Sequence, residues 1–204
     1  MKNLTLEQFS KDTASDAPVP GGGSIAAVCG SLSAALTAMV ANLTIGKKKY
    51  VEVEQEMQEV LEKAEKIRVD MLDLIEKDCD AFNLVMDAFK LPKETDEEKQ
   101  QRTASIQEGL KSAAIVPYEI AEKAYSIMAL AEEVVKKGNS NAVTDGLVSA
   151  MTARTAVLSA LLNVKINLDS IKDEEFVSEM RQKVQQVEEK AIKSEAHILS
   201  LSPF

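Results

Sequence analysis

The chain has no tryptophan, a single histidine and two cysteines among 204 residues. His197 and two cysteines far apart in sequence, Cys29 and Cys79, cannot assemble a zinc site of the usual Cys/His kind. Nothing in the carboxylate spacing asks for another metal. His197, near the C-terminus, is also a poor partner for a serine nucleophile. Both cysteines fall among apolar neighbours on predicted helices. They read as buried free thiols, which suits a cytoplasmic protein better than a disulfide does. Aromatic residues are scarce at 4% and there are only five prolines. No segment alternates apolar and polar residues as a strand would, so a sheet is excluded as the main architecture. Abundant Ala, Leu, Glu and Lys favour helices instead. Acidic residues outnumber basic ones, 33 to 24, for a net charge of −9. An acidic chain without a broad basic region argues against nucleic acid as a partner. Met1–Thr13 is too polar for a secretory signal.

The other conspicuous absence is local. No charged residue occurs between Asp16 and Lys47. The gap opens with Pro18-Val19-Pro20-Gly21-Gly22-Gly23-Ser24 and closes with Gly46-Lys47-Lys48-Lys49-Tyr50. Three consecutive glycines let backbone approach a ligand closely. Ser24 is a suitable N-cap for a helix running to Ile45, and a helix start preceded by glycines presents bare N–H groups to an anion or electron-rich group. The run is long enough to span a bilayer. Its Ser24, Ser31, Ser33, Thr37, Asn42 and Thr44 make it a weak membrane segment, and the Gly30/Ala34 pair suits close helix packing. It reads as a helix buried on nearly all sides, and no membrane is expected.

The remaining chain reads as helices. A short one covers Leu4–Ala14, with Thr5 to Gln8 shaped like a capping box. A very long amphipathic one covers Val51–Phe89. The next is capped by Thr95 with Glu98, interrupted or kinked at Pro117, and closed by Gly138 after Lys137. A nearly uncharged helix spans Asn141–Asn167, and a last one runs from about Asp173 to Ser200. The expected fold is all-α: one domain over residues 1–204, an up-and-down bundle with a buried, uncharged central helix pair, extended by dimerisation.

Two groups of residues invite chemistry. Asp78 falls inside the apolar stripe of the long helix, between Ile75 and Phe82, while Asp80 points away. An interior carboxylate has a desolvation cost that a partner or a function must offset. A helix–helix hydrogen bond is the plainer of those two readings. The second group is Gly138-Asn139-Ser140-Asn141 with Asp145, followed on one face by Ser149, Thr152, Asn163 and Asn167. Such short polar side chains suit a polar cleft or a packed hydrogen-bonded seam. Gly21-x-Gly23-x-x-Ala26 spells a dinucleotide fingerprint but follows no strand. Gly46-Lys47 lacks the spacing of a phosphate loop, and the methionines at helical spacing are core.

Taken in order, several motifs resemble the cyclodeaminase/cyclohydrolase family of folate enzymes. They are Pro18 to Ser24 with Ala26-Ala27, Met39 to Tyr50, Asp78-x-x-Ala81-Phe82, Leu91-Pro92-Lys93, Val116-Pro117, Gly138-Asn139-x-Asn141 with Asp145, and Asn163-Val164-x-Ile166-Asn167-Leu168. The family comprises the C-terminal domain of formiminotransferase-cyclodeaminase and stand-alone relatives, and the resemblance covers essentially the whole chain. It implies an all-α homo-oligomer, at least a dimer, acting on tetrahydrofolate derivatives, polyglutamylated or not, without metal or redox cofactor. The reaction implied is hydration of 5,10-methenyltetrahydrofolate to 10-formyltetrahydrofolate, or closure of 5-formiminotetrahydrofolate with loss of ammonia. By this resemblance Asp78, Asp145 and Lys48 are the catalytic candidates. Pro20, Gly21, Gly22, Gly23, Ser24, Lys47, Lys49, Asn139, Asn141, Asn163 and Asn167 are candidates for substrate binding. A non-catalytic folate-binding or scaffolding protein is the competing reading.

Overall fold

The computed structural model describes residues 1–204 and contains six α-helices and no strand. They are α1 (Leu6–Thr13), α2 (Gly22–Thr44), α3 (Glu54–Lys90), α4 (Asp96–Lys137), α5 (Val143–Leu168) and α6 (Glu174–Ser200). Short 3₁₀ turns at Lys48–Val53 and Ser140–Ala142 lead into α3 and α5. These turns explain why both helices start later than their sequence patterns suggest.

Local chemistry sets most of the ends. The capping box before α4 is complete: Glu98 N donates to Thr95 Oγ1 and Thr95 N donates to Glu98 Oε2. Asp173 caps α6 through Phe176 N. Before α1 only half of the box forms. Gln8 N donates to Thr5, but the Gln8 amide turns to Asp12. Gly138 follows α4 with φ −74 and ψ −175, an extended conformation rather than a left-handed cap. Gly46, at φ +74, supplies the left-handed residue that turns the chain out of α2.

Pro117 does not interrupt α4, which runs 42 residues through it. A proline in a helix leaves the carbonyl four residues earlier without its donor. That carbonyl is Ala113 O, and Asn167 Nδ2 of α5 donates to it at 2.9 Å. A side chain from the neighbouring helix thus replaces the missing N–H.

α4 packs against α2, α3, α5 and α6, with α2 between α3 and α5. The main core gathers Ala26, Met71, Leu74, Ile127, Val157 and Leu161, and a smaller one surrounds Val40, Met57 and Val134. α2 and α5 are antiparallel. Gly22 lies beside Asn163 at one end, and Asn139, just before α5, bonds Leu43 and Thr44 at the other. Between them runs a buried polar seam. Ser33 Oγ donates to Ser149 O and Ser149 Oγ to Ser33 O, both at 2.8 Å, and Thr37 Oγ1 lies 2.8 Å from Ser149 Oγ. Both helices are long and apolar enough to cross a membrane, and the apolar windows are 61% and 50% buried inside the bundle. Neither is enclosed on all sides in a single chain. α2 exposes Ile25, Leu32, Met39 and Leu43, and α5 exposes Val148, Met151, Leu162 and Ile166.

Candidate functional site

α2 begins at Gly22, two residues before the expected cap, with Gly21 as N-cap and no side chain of its own on the first N–H groups. Ser24 therefore lies in the first turn, and its hydroxyl donates to Asp78 Oδ2 at 2.9 Å. Asp78 comes from α3 and stands where a capping carboxylate would. Gly23 is what admits it: a methyl there would stand 2.6 Å from Asp78 Cγ and 2.7 Å from Oδ2. With Ser24 donating to Asp78, Cys79 Sγ, 3.5 Å away, is left as donor to Ser24 Oγ.

Two effects compete for the Asp78 proton. Burial disfavours the charged carboxylate, and the Ser24 hydroxyl and backbone N–H favour it. Burial is the larger, so the carboxyl is held above the ordinary aspartate range. Burial likewise pushes the Cys79 thiol up, leaving a poor nucleophile.

Asp78 opens onto a cavity of about 200 Å³ lined by Pro18, Val19, Gly21, Gly22, Gly23, Ala81, Phe82, Val85, Ala113, Asn163 and Asn167. Asn163 Nδ2 donates to Ser159 O, and Asn167 Nδ2 to Ala113 O and Asn163 O. Each amide thereby keeps its Oδ1 as an acceptor. Phe82 is half-buried and supplies the one aromatic ring. The pocket thus joins a proton-holding carboxyl, amide acceptors and an aromatic wall. Pro20 is buried beside the glycine turn but does not line the cavity. Phe82 and Val85 were not among the candidates; the signal that could have found them is their i+4 and i+7 spacing from Asp78, which puts all three on one helix face. Ala113 carried no signal in the sequence.

The other candidate residues lie at the opposite end of α2. Over its 23 residues the two ends are roughly 33 Å apart at 1.5 Å per residue. Lys47, Lys48 and Lys49 are exposed there. Lys49 Nζ approaches Ser140 Oγ at 3.4 Å, and Tyr50 OH accepts from Ser140 N at 3.0 Å. The Ser140 hydroxyl, 3.2 Å from Tyr50 OH, and then the Ser140 N–H hold the Tyr50 phenol below its ordinary range. Asn139 caps the 3₁₀ turn by accepting from Asn141 N, and Asp145 follows in the first turn of α5. Asn141 is therefore not the cap of α5. Within one chain Asp145, Lys47, Lys48, Lys49, Asn139 and Asn141 do not meet Asp78. His197 is remote from the pocket and pairs with Glu132.

The family model for formiminotransferase-cyclodeaminase matches residues 5–186. The chain belongs to this family. It is 48% identical over 177 residues to the methenyltetrahydrofolate cyclohydrolase of Methylorubrum extorquens, covering 87% of this chain and 85% of that protein. It is also 34% identical to the formimidoyltransferase-cyclodeaminase of Gallus gallus over 96% of its own length, though it spans only 36% of that protein. The crystal structure of a formiminotetrahydrofolate cyclodeaminase from Thermotoga maritima superposes with a TM-score of 0.89 at 32% identity, covering 98% of this chain and 96% of the other. In this member of the formiminotransferase-cyclodeaminase family, the glycine turn and the interior aspartate meet at one pocket.

Proposed function

We propose that the protein is a methenyltetrahydrofolate cyclohydrolase with Asp78 as its acid–base group. The observation that carries the choice of reaction is the 48% identity to a cyclohydrolase along most of both chains. Similarity to cyclodeaminases is lower, at 34% and 32%.

The chemistry follows from the pocket. The methenyl carbon, bonded to N5 and N10, is an electrophilic amidinium. The Asp78 carboxylate takes one proton from a water whose oxygen adds to that carbon. The resulting tetrahedral carbon carries N5, N10 and a hydroxyl. Asp78 then returns the proton to N5 as the N5–C bond breaks. The hydroxyl loses the second water proton as the formyl C=O forms on N10. One proton is released overall, and the one-carbon unit stays at the formate oxidation level, so no redox cofactor is called for. A carboxyl raised by burial suits both transfers near neutral pH. Asn163 and Asn167 Oδ1 would accept from pterin N–H groups, and Phe82 would stack on the ring.

The same pocket suits ring closure with loss of ammonia, because that reaction passes a tetrahedral carbon of the same kind. Purified protein offered each substrate separately tests the choice. The near-ultraviolet absorbance of the methenyl compound should fall rapidly when it is supplied. Its appearance from 5-formiminotetrahydrofolate at a comparable rate would overturn the assignment in favour of cyclodeaminase. We also propose a homodimeric, cytoplasmic enzyme, with Cys29 and Cys79 as free thiols.

A further inference from the structure

Pro117 is buried inside α4 and does not line the Asp78 pocket. It reaches the pocket through one carbonyl. A proline has no N–H for the carbonyl four residues earlier, and that residue, Ala113, does line the cavity. A buried carbonyl needs a donor. Asn167 Nδ2 of α5 supplies it at 2.9 Å. The second hydrogen of the same amide goes to Asn163 O at 2.8 Å. Both hydrogens of Asn167 are thus spent on carbonyls, and Oδ1 is the atom left for the cavity that this residue lines.

A half-turn of the Asn167 amide would set Oδ1 against two carbonyl oxygens, acceptor against acceptor. Without the proline that constraint would weaken, because a backbone N–H at position 117 would serve Ala113 O. Asn163 provides the contrast. Its Nδ2 donates to Ser159 O at 2.8 Å, a carbonyl that α5 already supplies with a backbone N–H. No unserved carbonyl stands behind its orientation.

We infer that Pro117 is a positioning residue: by leaving Ala113 O to Asn167 it fixes which end of that amide faces the ligand, and so gives the α5 wall of the pocket two acceptors, Asn163 Oδ1 and Asn167 Oδ1, for adjacent N–H donors. Residues four apart on a helix are neighbours on one face. The 2-amino group and N3–H of a pterin present two such donors side by side. A freely turning Asn167 would offer donor and acceptor alike and would discriminate less. This deepens the folate reading and rests on it for the identity of the ligand, but not for the orientation of the amide.

Pro117→Ala returns the missing N–H and removes a residue that helix interiors tolerate poorly, so the variant should melt at or above the wild-type temperature. Its KM for methenyltetrahydrofolate should rise roughly tenfold, the loss of about one hydrogen bond. Its kcat should stay within a fewfold, because Asp78 is untouched. Lactic acid in place of residue 117 withholds the N–H again without the ring and should bring KM back. Adding Pro117→Ala to Asn167→Ala should leave KM where Asn167→Ala alone puts it. A wild-type KM in Pro117→Ala would overturn the assignment, as would a rise that persists in the ester or adds to that of Asn167→Ala. A second readout needs no substrate. Hydrogen exchange of the Asn167 side-chain amide, followed by NMR, should be slow at both hydrogens in the wild type and roughly tenfold faster at one of them in Pro117→Ala. Equal exchange in the two proteins would also overturn it. A wild type that turns over neither folate yet shows this difference would remove the proposed function and leave the positioning role standing.

Discussion

Replacing Gly23 by alanine separates catalytic positioning from stability. A Cβ there would lie 2.6 Å from Asp78 Cγ, whereas carbon atoms rest at about 3.5 Å or more. The carboxyl group must retreat by on the order of 1 Å. Displacements of that size cost about 10²-fold in rate, or roughly 2.7 kcal/mol of transition-state stabilisation. The same change removes a glycine from a helix, which by itself stabilises by up to about 1 kcal/mol. Gly23→Ala is therefore expected to lose about 10²-fold in kcat/KM with little loss of thermal stability. Gly22→Ala is the control. Its methyl would lie 3.1 Å from Asn163 Nδ2 and meet no atom of Asp78 within 4 Å among its nearest contacts, so its loss should fall mainly on KM through Asn163 and be smaller in kcat than that of Gly23→Ala. Steady-state kinetics and thermal melts on both variants decide the matter. Because the effect runs through Asp78, adding Gly23→Ala to Asp78→Asn should cost little more. Gly23→Ala with kcat/KM within threefold of wild type would refute the reasoning.

Other expectations follow from the same contacts. Asp78 is held above the ordinary aspartate range by burial; hydration needs the carboxylate, so kcat/KM should fall with acid through an apparent pKa above that range, and this limb should vanish in Asp78→Asn. In the native state the same raised pKa stabilises the protonated form, a contribution present below the unfolded value and lost as pH rises through the folded one. Thermal melts of Asp78→Asn should accordingly match or exceed wild type at pH 7, and any gain should disappear in strong acid. Removing Asn167 leaves Ala113 O unpaired, at a cost of about 1–3 kcal/mol. In a Pro117→Ala background, where the backbone N–H is restored, denaturant unfolding should give a smaller loss. Ser149→Ala strips partners from Ser33 and Thr37 inside the α2–α5 seam and should destabilise by about 1–3 kcal/mol, while the Asp78 pocket keeps its substrate affinity.

The bundle was legible because its signals are local. The Thr95/Glu98 box, the Asp173 cap and the 3.6-residue stripe on α3 each depend on residues within a turn or two. The interior direction of Asp78 was legible for the same reason, since helical phase sets it against Ile75 and Phe82. What escaped the sequence were relations between helices. Ser24 reads as a cap from its neighbours, yet its hydroxyl serves a carboxylate 54 positions away. Pro117 reads as a break, yet Asn167, from another helix, takes up the carbonyl it frees. The polar stripe of α5 left a cleft and a seam open as alternatives. It is both: Ser149 belongs to the seam, and Asn163 and Asn167 line the cavity. The candidates read as one site divide between the two ends of α2; the length of that helix, at 1.5 Å per residue, already set those ends roughly 33 Å apart within one chain.

The most direct test of the central claim is the turnover of methenyltetrahydrofolate by Asp78→Asn, measured alongside folate binding. Loss of about 10²- to 10⁴-fold in kcat with binding retained is the predicted result. Turnover within a fewfold of wild type would contradict it, and Asp78 would then be only the carboxylate that caps α2.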